Sequence, residues 1–198
     1  MMASSDRQAW VLASHNQVKI KELREILLSR DINLKSAAEL DLAEPEETES
    51  TFEGNAALKA EAACRATGLV CVADDSGLSV DALNGDPGIY SARWAGPEKD
   101  FAAAMARVND ALGDKPRTAR FVCVIAVARP GAEVQTYRGE VVGEISWPPR
   151  GDAGFGYDPV FQPEGETRTF AQMNSEEKRT MSHRARALAK MIAAEFDA

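Results

Sequence analysis

Two adjacent carboxylates, Asp74 and Asp75, follow the apolar run 69–73 and precede Ser76 and Gly77. The apolar run predicts a buried strand and the glycine predicts a turn, so we expect the carboxylates at a strand end, where α/β folds place their chemistry. Neighbouring side chains of a strand point to opposite faces, so only one carboxylate can serve a given site. We assign the catalytic role to Asp75; the alternative is an Asx turn that only ends the strand.

A second group of reactive side chains lies in the acidic segment 41–49 and in the helix predicted after it. The segment contains Glu46 and Glu47 and reads as a loop, because its proline is excluded from helix interiors and central strands. Asn55 and Lys59 lie one turn apart on one face of the helix. The lysine could bind phosphate oxygens while the carboxylates hold a metal ion, or it could simply extend into solvent.

Three further segments carry groups suited to an anionic nucleotide. The turn 14–17 joins a predicted strand to a helix that carries Lys19, and free N–H groups at a helix start attract anions. In segment 154–159, glycines allow close backbone approach and two aromatic rings offer faces for a base. His183 and Arg184 are cations in the first turn of a helix, where they oppose the helix dipole and so indicate a ligand. Each segment also has a purely structural interpretation, as a polar turn or as core aromatics.

The elements that position these groups predict an α/β domain. Apolar spacing predicts helices after residue 17, at 50–67 behind a capping box of Ser50 and Glu53, at 99–112, and from about Ser182 to Phe196. Apolar runs predict strands at 9–13 and 69–73, and the runs 121–128 and 134–142 predict an antiparallel pair, so the sheet should be mixed. Segment 147–159 is expected to be an ordered loop rich in glycine and proline.

Composition excludes several classes of protein. A length of 198 residues with 44% hydrophobic content predicts one domain. The net charge of −8 argues against a general nucleic-acid binder, which needs a broad basic surface. The sequence has no apolar run of about 18 residues and no basic-then-apolar signal at the start, so we expect no membrane contact and a cytoplasmic location. Three cysteines without metal or disulfide spacing are expected to be core residues.

Six stretches together resemble the inosine triphosphate pyrophosphatase family over nearly the whole chain. They are ASHN with Lys19, TFEGNA with Lys59 and Ala60, ADDSGL at 73–78, PGIYSAR at 87–93, GFGYDPVF at 154–161 and EEKRTMSHR at 176–184. The resemblance implies a single domain over residues 1–198, with two lobes on a long mixed sheet and the active-site cleft between them. It also implies a homodimer that uses Mg²⁺ to hydrolyse non-standard purine nucleoside triphosphates (ITP, dITP, XTP) to the monophosphate and pyrophosphate.

The resemblance implies a role for each matched residue. Asp75 would accept a proton and hold the metal ion together with Glu46. Lys59 would contact phosphate, and Ser76 would touch the substrate. The triphosphate would be bound by Ser14, His15, Asn16, Gln17, Val18 and Lys19. The nucleoside pocket would be lined by Phe155, Gly156, Tyr157, Asp158 and Lys178, and the base would be read by His183 and Arg184.

The sequence departs from the family pattern at two positions of its first motif. His15 stands where the family most often has glycine, and Val18 replaces another frequent glycine. A side chain at position 15 restricts the backbone, so the turn must be one that an ordinary residue adopts. The hydroxyl of Ser14 and the amide of Asn16, which the family pattern requires, are retained.

The chemistry implied is an attack of water on the triphosphate, with Lys19 and Lys59 neutralising the charge that develops. We expect attack at the α-phosphorus; attack at the β-phosphorus is the alternative. Donors on His183 and Arg184 suit the C6 oxygen of hypoxanthine and not the amino group of adenine. Two rival functions remain: a Maf-type pyrophosphatase acting on modified pyrimidine triphosphates, which the PGIYSAR and SHR segments disfavour, and a nucleotide-binding regulatory module without turnover.

Overall fold

The computed structural model describes residues 8–15 and 17–197 and contains one six-stranded sheet. The strand order is β2-β1-β3-β4-β5-β6. The strands are β1 (Gln8–Leu12), β2 (Ile32–Ser36), β3 (Val70–Val80), β4 (Thr118–Ala128), β5 (Gln135–Ile145) and β6 (Phe161–Pro163). The helices are α1 (Gln17–Leu28), α2 (Phe52–Thr67), α3 (Ser91–Trp94), α4 (Phe101–Leu112), α5 (Ser175–Met181) and α6 (His183–Phe196).

The sheet is mixed, as the sequence predicts. Strand β1 pairs in parallel with both β2 and β3, whereas β5 pairs antiparallel with β6. Strands β4 and β5, predicted as a pair, are neighbours in the sheet. Strands β2 and β6 were not predicted, although residues 32–36 alternate between buried and exposed side chains, which is the signal of a half-buried strand. The α/β fold class is therefore confirmed.

The Asp74–Asp75 pair lies in the middle of a strand, which corrects the predicted strand end. Strand β3 continues through Ser76 and Gly77 to Val80, and all but two of its eleven side chains are buried. Asp, Ser and Gly are disfavoured in strands, which is why the pattern predicted a turn, but burial and cross-strand pairing override that preference here. Both carboxylates therefore lie on regular strand backbone inside the sheet.

Helix α2 begins at a different cap from the predicted one. The side chain of Thr51, not of Ser50, accepts a hydrogen bond from the Gly54 amide at 3.0 Å. The end is as predicted, because Gly68 adopts a left-handed conformation (φ 69°) that a glycine accommodates without strain. Helix α4 likewise begins at Phe101, two residues later than predicted, because Asp100 caps it.

The chain forms two compact units, each with its own packing. Of the described residues, one unit comprises 8–15, 17–75, 124–137 and 191–197, and the other comprises 76–123 and 138–190. The core of the second unit is built from aliphatic side chains of β3 to β5 and α4 around the aromatic residues Phe121, Tyr157, Phe161 and Phe170. Among the described residues, no helix has the length and apolar character needed to cross a membrane. The prediction of a single domain with a cleft between two lobes stays a prediction.

The last helix begins where the sequence predicts. Ser182 precedes α6 and its hydroxyl accepts a hydrogen bond from the Ala185 amide at 3.1 Å. The short helix α5 before it was not predicted, although Asn174 and Glu177 form a capping box whose spacing is visible in the sequence. His183 and Arg184 therefore lie in the first turn of α6, as expected.

Candidate active site

Asp75 is a buried carboxylate with two polar neighbours from helix α2. Its side chain accepts a hydrogen bond from the Asn55 amide at 3.3 Å, and the Lys59 ammonium lies 3.8 Å from its other oxygen. Burial raises the pKa of Asp75 to about 6; Lys59 and Asn55 oppose this shift, whereas Glu47 and Asp74 add to it. A carboxyl that titrates near neutral pH can both accept a proton and return it.

Lys59 is the charged partner of this carboxylate and is itself buried, with 6% of its surface exposed. Its ammonium donates to Glu47 at 2.5 Å. Burial alone would lower the pKa of Lys59, but Asp75, Glu47 and Asp74 outweigh it, so that the pKa is raised. The predicted alternative, a lysine extended into solvent, is therefore wrong, and Lys59 carries a positive charge at neutral pH.

The acidic segment before α2 approaches Lys59 through Glu47. Glu46, which the resemblance assigns to the metal, is exposed, and its role as a ligand stays a prediction. Asn55 links this segment to Asp75, because its side-chain oxygen accepts from the Glu49 amide at 3.1 Å while its amide donates to Asp75. Sequence reasoning placed Asn55 beside Lys59 but gave it no role.

Lys19 contacts the neighbouring carboxylate of β3, Asp74. Its ammonium donates to Asp74 at 2.6 Å. The two adjacent carboxylates thus contact different lysines, and the division between one catalytic and one supporting acid stays a prediction. Ser14 is buried, whereas His15 is exposed with Nδ1 3.9 Å from Glu44.

Three predicted triphosphate contacts are described in part or not at all. Gln17 and Val18 form the first turn of α1, and only their backbone is described. Asn16 lies outside the described residues. The roles of all three stay predictions.

The segment 154–158 is folded around the Asp158 carboxylate. Asp158 is 2% exposed; it accepts from the Phe155 amide at 2.8 Å and from the Lys178 ammonium of α5. Burial raises the pKa of Asp158, and Lys178 opposes that shift. Gly154 has φ 76°, and a side chain there would overlap the Asp158 carboxylate. The buried pair therefore shapes the loop that presents Phe155.

Phe155 and Tyr157 of this loop have opposite environments. The Phe155 ring is 68% exposed, and the Lys178 ammonium lies 5.2 Å from its centre. Tyr157 is buried, donates to the Ser91 carbonyl at 2.8 Å and packs edge-on against Phe101. Burial raises the pKa of Tyr157 to about 12. An exposed aromatic face on a fixed loop suits stacking with a base, whereas Tyr157 supports the loop from within.

His183 is held by an aromatic ring of the sheet. Its ring stacks on Phe121, with centroids 4.9 Å apart and planes 16° apart. Arg184 follows it in the same turn and is partly exposed, and Ser76, at the middle of β3, is also partly exposed.

The structure thus groups the predicted residues into two sets. One set surrounds Asp75 and Asp74 in the first unit with Lys59, Lys19 and Glu47. The other set lies in the second unit and consists of the loop around Asp158, its partner Lys178, and the helix start with His183 and Arg184. Sequence reasoning missed Phe170, whose ring lies 5.4 Å from the Lys178 ammonium, and Ser91, whose carbonyl accepts from Tyr157. It also missed Gly139, which lies against the backbone of His183 and Ala187. Only tertiary contacts reveal the first two, and an isolated glycine inside a predicted strand was the available signal for Gly139.

A divalent cation fits the donor set around Asp75. Among the residues described, no group of three or more histidine, cysteine or acidic side chains is arranged around a common point. Mg²⁺ does not need one, because it keeps several waters and uses one or two carboxylates together with substrate phosphates. The pKa of Asp75 is raised partly by Glu47 and Asp74, so negative charge accumulates there that a cation would relieve.

A buried lysine beside carboxylates can bind phosphate oxygens and activate water, which is what cleavage of a phosphoanhydride requires. Comparison with known proteins shows that the chain is a hydrolase acting on acid anhydrides. The profile of the Ham1 family matches residues 10–194. The chain therefore belongs to the Ham1 family, which confirms the resemblance found in the sequence. Nucleotide pyrophosphatases of this kind generally use a divalent metal ion.

Two curated relatives and two solved structures illustrate this membership. The chain is 56% identical to the dITP/XTP pyrophosphatase of Gluconobacter oxydans over 92% of this chain and 88% of that protein. It is 54% identical to the protein of the same name from Rhodospirillum centenum, over 92% of each. The Ham1 protein of Coxiella burnetii has a TM-score of 0.92 at 39% identity, covering 96% of this chain and 100% of that one. The Staphylococcus aureus Ham1 protein has a TM-score of 0.89 at 42% identity, covering 94% and 97%.

Proposed function

We propose that this chain hydrolyses the non-standard purine nucleoside triphosphates ITP, dITP and XTP to the monophosphate and pyrophosphate with Mg²⁺. The observation that carries the proposal is the buried Asp75 carboxylate, held by Asn55 and Lys59 and bordered by Glu47. The names of the curated relatives supply the substrate class. A cytoplasmic location and a homodimeric assembly belong to the same proposal.

In the proposed reaction, a water oxygen forms a bond to the α-phosphorus while the bond from that phosphorus to the bridging oxygen breaks. Pyrophosphate leaves, and Asp75 takes the proton released by the water. The Lys59 and Lys19 ammonium groups bind phosphate oxygens and neutralise charge that grows as the bond breaks. Asp75 and an acidic-segment carboxylate would hold the Mg²⁺, which supplies Lewis-acid stabilisation of the phosphate oxygens.

Base selection is assigned to the second set of residues. Phe155 would stack on the base, because its ring is exposed and the Asp158–Lys178 pair fixes the backbone behind it. His183 and Arg184 would donate to the C6 oxygen of hypoxanthine or xanthine. Adenine has an amino group at that position and leaves these donors without a partner, which disfavours ATP.

The proposal is tested by measuring pyrophosphate release from ITP, XTP, ATP, GTP and dTTP in separate reactions with Mg²⁺. We expect rapid release from ITP and XTP only. Release mainly from pyrimidine triphosphates would favour the Maf-type rival, and release from none would favour a binding module. Hydrolysis in ¹⁸O-labelled water is expected to label the monophosphate; label in pyrophosphate would contradict attack at the α-phosphorus.

The metal assignment predicts different results for the two neighbouring glutamates. Because Glu46 is exposed, Glu46→Gln is expected to raise the Mg²⁺ concentration for half-maximal activity by about tenfold with little change in thermal stability. Glu47→Gln is expected to lower thermal stability, because Lys59 loses its 2.5 Å partner. Asp41→Asn, at an exposed position of the same acidic segment, is the control. An unchanged Mg²⁺ dependence in Glu46→Gln would remove Glu46 from the metal site.

A further inference from the structure

We propose that Gly139 is a specificity-determining position, because it sets how deeply the first turn of α6 packs on strand β5. The inference rests on the proposed function, in which that turn carries the base-reading residues His183 and Arg184. Gly139 itself is buried in the middle of β5 and cannot contact a substrate through a side chain. It acts by positioning the helix.

The packing at Gly139 leaves no room for a side chain. A Cβ atom there would overlap the His183 carbonyl oxygen and the Ala187 amide nitrogen. Both are backbone atoms of α6, so they cannot move aside by a change of rotamer. Any side chain at position 139 must therefore displace the first turn of α6 from the strand.

Two hydrogen bonds hold α6 on either side of this contact. The Arg186 guanidinium donates to the Glu140 carbonyl at 2.9 Å, and the Lys190 ammonium donates to the Arg138 carbonyl at 2.7 Å. The two acceptors are the residues directly before and after Gly139. The two hydrogen bonds thus fix the position of α6 along the strand, and the contact at Gly139 fixes its distance from the strand.

The same contact fixes the His183 ring. The ring lies against Phe121 of the neighbouring strand β4, with centroids 4.9 Å apart, while the His183 carbonyl lies against Gly139. An outward shift of the turn must therefore move the imidazole away from Phe121. Hydrogen bonds to a base are lost over displacements of about 1 Å, so base selection depends on this packing.

The test compares Gly139→Ala with Gly143→Ala. Gly143 lies on the same strand, and a Cβ there would overlap the Gln162 carbonyl oxygen of β6 and the Phe161 ring, which packs on Phe121. This control therefore has a similar steric cost and disturbs the aromatic cluster, but it does not displace the backbone of α6. Gly139→Ala is expected to lower the ratio of kcat/KM for ITP to that for ATP by about tenfold or more, mainly through the KM for ITP. Gly143→Ala is expected to keep the ratio.

A second measurement does not depend on turnover. The chain has two histidines, His15 and His183, so replacing His15 assigns the remaining ring-proton NMR signal to His183. In Gly139→Ala the His183 signal should lose the shift caused by the Phe121 ring, and the His15 signal should stay. Arg186→Met, which removes the bond to Glu140 without adding bulk, should produce a smaller change in the same direction, and it serves if Gly139→Ala does not fold.

The outcomes separate this inference from the proposed function. Two results would overturn the role of Gly139 in an enzyme that still prefers ITP. One is a shifted His183 signal with an unchanged ratio of kcat/KM for ITP to that for ATP, and the other is an unshifted His183 signal in both Gly139→Ala and Arg186→Met. Absence of ITP hydrolysis in the unmodified protein would instead contradict the proposed function, and the role of Gly139 in base selection would fall with it.

Discussion

Replacing Asp75 by asparagine is expected to reduce pyrophosphate release from ITP by about 10³-fold, because the variant loses the proposed proton acceptor and metal ligand. Nucleotide binding should persist, since Lys59 and Lys19 remain. Steady-state kinetics gives the first result, and calorimetric titration with ITP in the absence of metal gives the second. Substantial turnover by the variant would remove Asp75 from the mechanism.

The same substitution is expected to stabilise the metal-free protein at pH 7.5. Folding raises the pKa of Asp75 from 3.8 to about 6, so the carboxyl favours the folded state fully below pH 3.8, and this contribution is lost as the pH rises through 6. At about 1.4 kcal/mol per pKa unit, ionised Asp75 costs the folded state about 3 kcal/mol relative to a neutral side chain. Asparagine is neutral at every pH.

Urea unfolding in the presence of a chelator tests this expectation. The free energy of unfolding of Asp75→Asn should exceed that of the unmodified protein by about 1 to 3 kcal/mol at pH 7.5, and the gain should disappear near pH 4. Asp74→Asn is the matched control, because Asp74 is equally buried but accepts from Lys19 at 2.6 Å and loses that bond. Equal gains in both variants would contradict a specific cost of ionised Asp75.

Replacing Lys59 by methionine is expected to lower both activity and stability. The variant leaves two buried or partly buried carboxylates, Asp75 and Glu47, without their common cation, which costs about 3 kcal/mol. Loss of one positioned charge at the reacting phosphate should reduce kcat by about 10². The pKa of Asp75 should rise further, so the destabilisation should be smaller at pH 5 than at pH 7.5.

A double-mutant cycle isolates the coupling between the two residues. Lys59→Met should destabilise the Asp75→Asn protein less than the unmodified protein, because one of the stranded carboxylates is already absent. Lys115→Met is the control at an exposed site, where the ammonium donates to the Ala111 carbonyl, and it should change stability by less than about 0.5 kcal/mol. Additive effects of the two substitutions at residues 59 and 75 would contradict direct coupling.

Much of the fold could be predicted because it depends on local patterns. The stripe of Ile20, Leu23, Ile26 and Leu27 predicts α1; Ile26 is partly buried and the other three are buried. The family could be recognised for the same reason, since its motifs are contiguous stretches of sequence, and the match to the family profile confirms it. The errors arose where tertiary contacts determine the local structure. The centre of β3 contains residues typical of turns, yet it is a strand. Two adjacent hydroxyl residues precede α2, and Thr51 is the one that makes the capping bond.

The site was less predictable than the fold. Glu46 and Glu47 lie in an irregular segment without periodicity, so no sequence rule tells which one turns toward Lys59. The side chains that contact Asp75 and Asp158, from Lys59, Asn55 and Lys178, are 16 to 20 positions away along the chain. These contacts exist only after folding. Burial of a charged group, which sets the pKa of Asp75, is likewise a property of packing and not of composition.

The location of Asp75 inside a buried strand has a consequence for how the enzyme can evolve. Substitutions in the strand disturb packing on both faces of the sheet, whereas the segment presenting Phe155 lies in a surface loop, where change is tolerated. The residues proposed for hydrolysis and for base stacking thus lie on parts of the chain with unequal tolerance to mutation. A lineage, or a directed-evolution library confined to residues 152–156, is expected to change how tightly a base is stacked while Asp75 is inherited unchanged.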